Sequence, residues 1–72
     1  NPVTMINGKF TVRVCINKKV MYLGTFITAI EAFQIYKLTK ENYIKELADK
    51  WKNNITKSTY NALYNYTVDM NN

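Results

Sequence analysis

The stretch Gly8-Lys9-Phe10-Thr11-Val12-Arg13-Val14-Cys15-Ile16-Asn17-Lys18-Lys19-Val20-Met21-Tyr22-Leu23-Gly24-Thr25-Phe26 decides the fold. Side-chain character alternates along it with a period of two, the mark of a half-buried strand. Asn7-Gly8 stands at its start, and this dipeptide is a strong hairpin signal because both central residues of a type I′ turn need positive φ. With Ile6 paired to Lys9, Met5 faces Phe10, Thr4 faces Thr11 and Val3 faces Val12. Asn17-Lys18 offers the next two-residue turn. It sets Val14 against Met21, Arg13 against Tyr22 and Val12 against Leu23. A three-residue loop would oppose Arg13 to Leu23 and mix the two faces, so the pattern favours two residues.

This register sorts the side chains. Val3, Met5, Phe10, Val12, Val14, Ile16, Met21 and Leu23 share one face, which reads as the core face of an antiparallel sheet. Thr4, Ile6, Lys9, Thr11, Arg13, Cys15, Val20 and Tyr22 share the other.

Beyond Gly24 the chain has neither glycine nor proline, which leaves a long stretch free to be helical. Thr28-Ala29-Ile30-Glu31 is a capping box: the Thr28 hydroxyl can bond the Glu31 amide, and the Glu31 carboxylate can reach back to the Thr28 amide. An apolar stripe of helical spacing follows through Ala29, Ala32, Phe33, Tyr36, Tyr43, Ile44, Leu47, Ala48 and Trp51. Lys40 interrupts it, with an aliphatic stem able to cover apolar surface. The helix should fade near Asn53-Asn54. At 1.5 Å per residue it would be roughly 37 Å long, whereas an eight-residue strand covers about 27 Å. Its last turns therefore need another partner. A second short helix, capped within Thr56-Lys57-Ser58-Thr59, offers Tyr60, Leu63 and Tyr64 on one face to fold back over Leu47, Trp51 and Ile55. Tyr66, Val68 and Met70 trail beyond it.

The expected fold is α+β: a three-stranded antiparallel sheet (about 3–6, 9–16 and 19–26) packed on one long helix (about 29–53), with a short C-terminal helix (about 57–66). Residues 1–72 read as a single domain, with 1–54 as the sheet and long-helix core and 55–72 as closing helix and tail. The chain begins at Asn1 without a methionine and reads as a fragment of a larger protein.

Composition narrows the function. At 72 residues, the chain buries only about 60% of the surface its unfolded form exposes. It has no room for a cofactor-binding domain beside a catalytic one, and no cofactor is expected. The formal net charge is +5, and its distribution is telling. Lys9, Arg13, Lys18 and Lys19 all precede Glu31, the first acid, whereas residues 31–72 hold six lysines against five acids. A one-signed sheet beside a balanced helical surface suggests that the sheet meets a polyanion. With one cysteine and no histidine, neither an internal disulfide nor a zinc site can form. This fits a reducing, cytoplasmic setting. No apolar run approaches the ~20 residues needed to span a bilayer, and no signal peptide is recognisable. Paired carboxylates on a cleft, a glycine-rich phosphate loop and a metal-ligand cluster are all missing, so these residues are not expected to form an enzyme.

Plainer readings stand beside each candidate. Lys9, Lys18 and Lys19 serve equally as turn and edge lysines that discourage edge-to-edge pairing. Tyr22 serves as a cross-strand packing partner of Arg13. Cys15 reads as a small outward apolar residue and Glu31 as a cap. Phe33, Tyr36, Tyr43 and Trp51 read as packing.

Lys9-Phe10, then Tyr22-Leu23-Gly24-Thr25-Phe26, then Thr28-Ala29 with Glu31-Ala32 and Tyr36, resemble the APETALA-two/ethylene-response-factor DNA-binding domain. The remainder, Tyr43-Ile44-Lys45-Glu46-Leu47-Ala48-Asp49-Lys50-Trp51 and Tyr60-Asn61-Ala62-Leu63-Tyr64-Asn65-Tyr66, resembles the phage branch of that family, the C-terminal domain of HNH homing endonucleases. The resemblance implies a sheet set into the DNA major groove. It places base-contacting positions on Arg13, Cys15, Val20 and Tyr22, which agrees with the outward face read from the register. Plant members usually carry arginines where this chain has Cys15 and Val20, so plant-type reading of a GC-rich box is not implied.

The expected function is double-stranded DNA binding by the outer sheet face, as the targeting module of a phage or mobile-element endonuclease in the host bacterial cytoplasm. The expected contact residues are Lys9, Thr11, Arg13, Cys15, Lys18, Lys19, Val20 and Tyr22, with no metal site and no catalytic residue. Two alternatives remain open. One is a protein-interaction or assembly module, with weak self-association through Ile6, Cys15 and Val20 or the tyrosine-rich tail. The other is an RNA or single-strand binder, for which the outer face offers only Tyr22 as a stacking ring.

Overall fold

Both hairpin turns take the two-residue form. Asn7 and Gly8 have φ of 52° and 76°, and Asn17 and Lys18 have φ of 53° and 64°. Two successive left-handed residues make a type I′ turn, whose twist matches that of the flanking strands. The computed structural model describes residues 2–69, so Asn1 and Met70 lie outside the described residues.

The turns join β1 (Val3–Ile6), β2 (Lys9–Ile16) and β3 (Lys19–Phe26) into an antiparallel sheet of order β1-β2-β3. The first pairing follows the predicted register throughout: Val3↔Val12, Thr4↔Thr11, Met5↔Phe10 and Ile6↔Lys9. The second follows it through Ile16↔Lys19, Cys15↔Val20, Val14↔Met21 and Arg13↔Tyr22. There it departs. Val12 pairs with Gly24 rather than Leu23, across a register shift between Val12 and Arg13. Leu23 is thus the extra residue of a β-bulge. Gly24 supports the bulge with a φ of +142°, in a region open essentially to glycine. The Phe26 ring closes over the same glycine: a Cβ built there would lie 3.2 Å from Phe26 Cζ.

The helix α1 spans Ala29–Lys50. Its capping box forms with one change of partner. The Glu31 amide donates to Thr28 Oγ1 (3.2 Å), while the Thr28 hydroxyl donates to the Glu31 carboxylate (2.9 Å). The carboxylate therefore meets the hydroxyl where the sequence suggested the amide. α1 ends three residues before the expected 53. A 3₁₀ turn, Lys52–Asn54, follows, and Ile55 is extended. Adjacent asparagines favour turns over helix interior. A second helix, α2, covers Lys57–Tyr64, with Thr56 Oγ1 accepting from the Thr59 amide at 3.1 Å. It stops two residues before the expected 66, where Asn65 Nδ2 bonds the Asn61 carbonyl at 3.0 Å.

The chain divides into two compact units, one up to Leu38 and one from Thr39 onward. In the first, Val12, Val14 and Ala32 are buried. Phe33 and Tyr36 meet edge to face at 6.2 Å. Two members of the expected core face are largely exposed: Met5 at 63% and Met21 at 48%. Both lie on edge strands, whereas Val12 and Val14 lie on the central one.

In the second unit, the chain returns antiparallel along α1. The Tyr60 hydroxyl donates to Asp49 Oδ1 at 2.6 Å, Lys45 Nζ lies 5.6 Å from the Tyr64 ring centre, and the Val68 amide donates to Glu41 Oε2 at 2.9 Å. Each contact steps back one helical turn, so Glu41, Lys45 and Asp49 form the receiving face. Lys52 covers Tyr60 at 5.9 Å, and the Tyr60 and Tyr64 rings stack at 5.7 Å. Ala48, between Lys45 and Lys52 in helical phase, is fully buried. Of the expected receiving residues, Leu47 and Ile55 are half-buried and Trp51 is 48% exposed.

Two expectations follow. Gly24→Ala should cost roughly 1–3 kcal/mol, more than Gly8→Ala, which meets nothing within 4 Å and should cost about 1 kcal/mol for its φ alone. Urea denaturation distinguishes them, and equal costs would contradict the Phe26-over-Gly24 packing. The hydrogen bond to Asp49 raises the Tyr60 pKa above its ordinary 10.0. Its contribution to holding α2 is thus complete below about pH 10 and lost as pH rises through the raised value. Asp49→Asn should return this phenol to the ordinary range in an absorbance titration, and an unchanged tyrosine titration would refute the pairing.

Candidate nucleic-acid interface

β1 pairs with β2 over residues 9–12, and beside them the Arg13 amide donates to the Pro2 carbonyl at 2.9 Å. Past this bond the far half of the second hairpin, residues 14–16 with 19–21, continues as a β2–β3 ribbon ending at Asn17-Lys18. The outer face here carries two cross-strand pairs, Arg13↔Tyr22 at the root of the ribbon and Cys15↔Val20 on it. A two-stranded ribbon is an element that a major groove about 12 Å wide admits. Lys18 and Lys19 stand at the tip, and Lys9 lies at the other end of β2.

Seven of the eight expected contact residues are exposed: Lys9, Arg13, Cys15, Lys18, Lys19, Val20 and Tyr22. Val20 and Tyr22 are the most open of the apolar ones, at 69% and 63%. Thr11 differs. It is only 7% exposed, and its Oγ1 lies 3.4 Å from Thr25 Oγ1. The Tyr22 hydroxyl in turn bonds Thr25 Oγ1. Thr11 sits on the central strand between Thr4 and Thr25, so its hydroxyl is held inside a row that crosses the sheet.

The bulge explains this row. Without Leu23 as an extra residue, Tyr22 and Thr25 would point to opposite faces. With it, both face outward, and Tyr22 leans along β3 onto Thr25. Thr25 thus joins the outer face, although simple alternation from Tyr22 would turn it inward. The available signal was Gly24, since a glycine inside a strand pattern marks a bulge.

The electrostatics are one-signed because no acid occurs before Glu31. Lys18 adds a structural observation. A φ of 64° at a side-chain-bearing residue costs roughly 1–2 kcal/mol, and glycine is the usual occupant. In the second unit the lysines are used differently. Lys45, Lys50 and Lys52 lie over the rings of Tyr64, Trp51 and Tyr60 at 5.6 to 5.9 Å, where cation–ring attraction packs the surface.

Cys15 is a free thiol on the exposed face. Among the described residues, no three His, Cys, Asp or Glu side chains gather as a metal-ligand group. Among the same residues, no helix is long and apolar enough to cross a membrane. No family model, curated protein or solved structure matches the chain.

Lys18→Gly should raise stability by about 1 kcal/mol by relieving the left-handed lysine. The midpoint of thermal or urea unfolding measures it, and an unchanged or lower midpoint would contradict the strained turn.

Proposed function

We propose that the chain binds double-stranded DNA by setting the outer face of the β2–β3 ribbon into the major groove. In this reading it is the targeting module of a larger phage or mobile-element endonuclease, acting in the cytoplasm of a bacterial host. The catalytic centre of that enzyme would lie outside these residues. The observation that carries the proposal is the sheet's charge: Lys9, Arg13, Lys18 and Lys19 lie on or beside one ribbon, and no acid precedes Glu31. The sequence resemblance described above supports the same reading. Lys9, Lys18 and Lys19 would meet phosphates, which fixes position without reading sequence. Arg13, Cys15, Val20 and Tyr22 would face the base edges.

Single-strand binding is the weaker reading. Such proteins stack successive bases on several rings, and the ribbon's outer face offers only Tyr22, whose hydroxyl is already bonded to Thr25.

Fluorescence-anisotropy titration of a labelled duplex at several salt concentrations tests the proposal. With Lys9, Lys18 and Lys19 on phosphates, log K should fall with log salt at a slope of about −2.7. Lys19→Ala should reduce that slope by about 0.9, whereas Arg13→Ala should weaken binding with the slope and the circular-dichroism spectrum unchanged. No binding at low salt by the folded protein would overturn the proposal.

A further inference from the structure

The ribbon's four groove-facing positions differ in what they can offer a base. Arg13 is the one strong donor, with a fork that matches guanine O6 and N7. Val20 has no hydrogen-bonding atom in its side chain, and the Cys15 thiol is a weak donor and weak acceptor. These two are direct cross-strand partners. Together they make an apolar patch between the Arg13↔Tyr22 pair and the Lys19 tip. Tyr22 adds the flank of its ring, because its hydroxyl is engaged by Thr25. Val20 is 69% exposed and Cys15 is a free exposed thiol, so nothing within the described residues covers this patch.

An apolar patch flanked by cations fits one feature of a major-groove floor. Every base edge there displays donors or acceptors, but thymine alone adds a methyl group. A guanine or cytosine edge set against Val20 and Cys15 would lose water and gain no partner. A thymine methyl loses nothing and gains apolar contact. Alternate residues on a strand are about 6.8 Å apart, which is two base-pair steps of 3.4 Å. The apolar patch therefore falls about two steps from whatever base Arg13 reads.

Resting on the duplex-binding proposal above, we infer that this chain prefers A·T-rich duplex, with Val20 and Cys15 against thymine methyls and Arg13 on a guanine about two base pairs away. Val20 and Cys15 determine specificity and Arg13 sets the register.

The test compares two duplexes of identical sequence, thymine-rich with isolated guanines. One carries thymine and the other carries deoxyuridine at every thymine, which removes only the methyls. Affinity is measured by anisotropy for the full chain and for Val20→Ala, a change at an exposed site. The native chain should bind the thymine duplex more tightly by about fourfold for each methyl contacted. Val20→Ala should narrow that gap while keeping its salt dependence. Equal, salt-sensitive affinity for both duplexes would overturn the methyl-reading inference and leave duplex binding standing. Binding to neither duplex at low salt, with the fold intact, would overturn both.

Discussion

The turn at Asn17-Lys18 fixes everything the sheet can present. Its two left-handed residues set Ile16 opposite Lys19, and from that pair the alternation of the strands does the rest. With β2 held by β1, a slip of one residue at this turn would carry Val20 and Tyr22 to the inner face. The turn therefore decides that a cation, a thiol, a valine and a tyrosine share one surface while Val12 and Val14 are buried behind it. That Lys18 occupies a position suited to glycine makes the tip both strained and charged.

A second constraint acts at the other end of the ribbon. The bulge at Leu23 shifts the parity of β3, so Tyr22 and Thr25 come to one face. This draws the tyrosine onto the sheet and closes Thr11 beneath it. The outer face is thereby divided. Its proximal part is a row of hydroxyls already bonded to one another, and its distal part, from Arg13 to Val20, is open. An antiparallel sheet can leave one face to solvent in this way because its backbone bonds are satisfied within the sheet. The second unit follows a different logic. Asp49, Lys45 and Glu41 receive Tyr60, Tyr64 and Val68 in turn, so polar side chains specify the return of α2 along α1.

The sequence made the turns legible because Asn-Gly and Asn-Lys between alternating runs leave few registers. It made the start of α1 legible because Thr28 and Glu31 have the spacing of a cap. The burial of Thr11 was hidden, since it follows from a single bulge residue whose only signal is Gly24. The polar part of the α2 contact was hidden too, since apolar periodicity names Leu47 and Trp51 and gives no sign of the tyrosine–aspartate hydrogen bond or the lysine–ring contacts. Of the eight expected contact residues, seven are exposed and Thr11 is buried. Thr25 stayed hidden because face assignment by simple alternation fails beyond a bulge.

The proposal that duplex DNA lies on the open half of the ribbon is tested by an amide-resolved NMR titration of the labelled chain with a short duplex. The largest shifts should fall on amides 13–22, with lesser ones at Lys9 and little change in α2. Shifts confined to residues 45–66, with the ribbon unaffected, would contradict it.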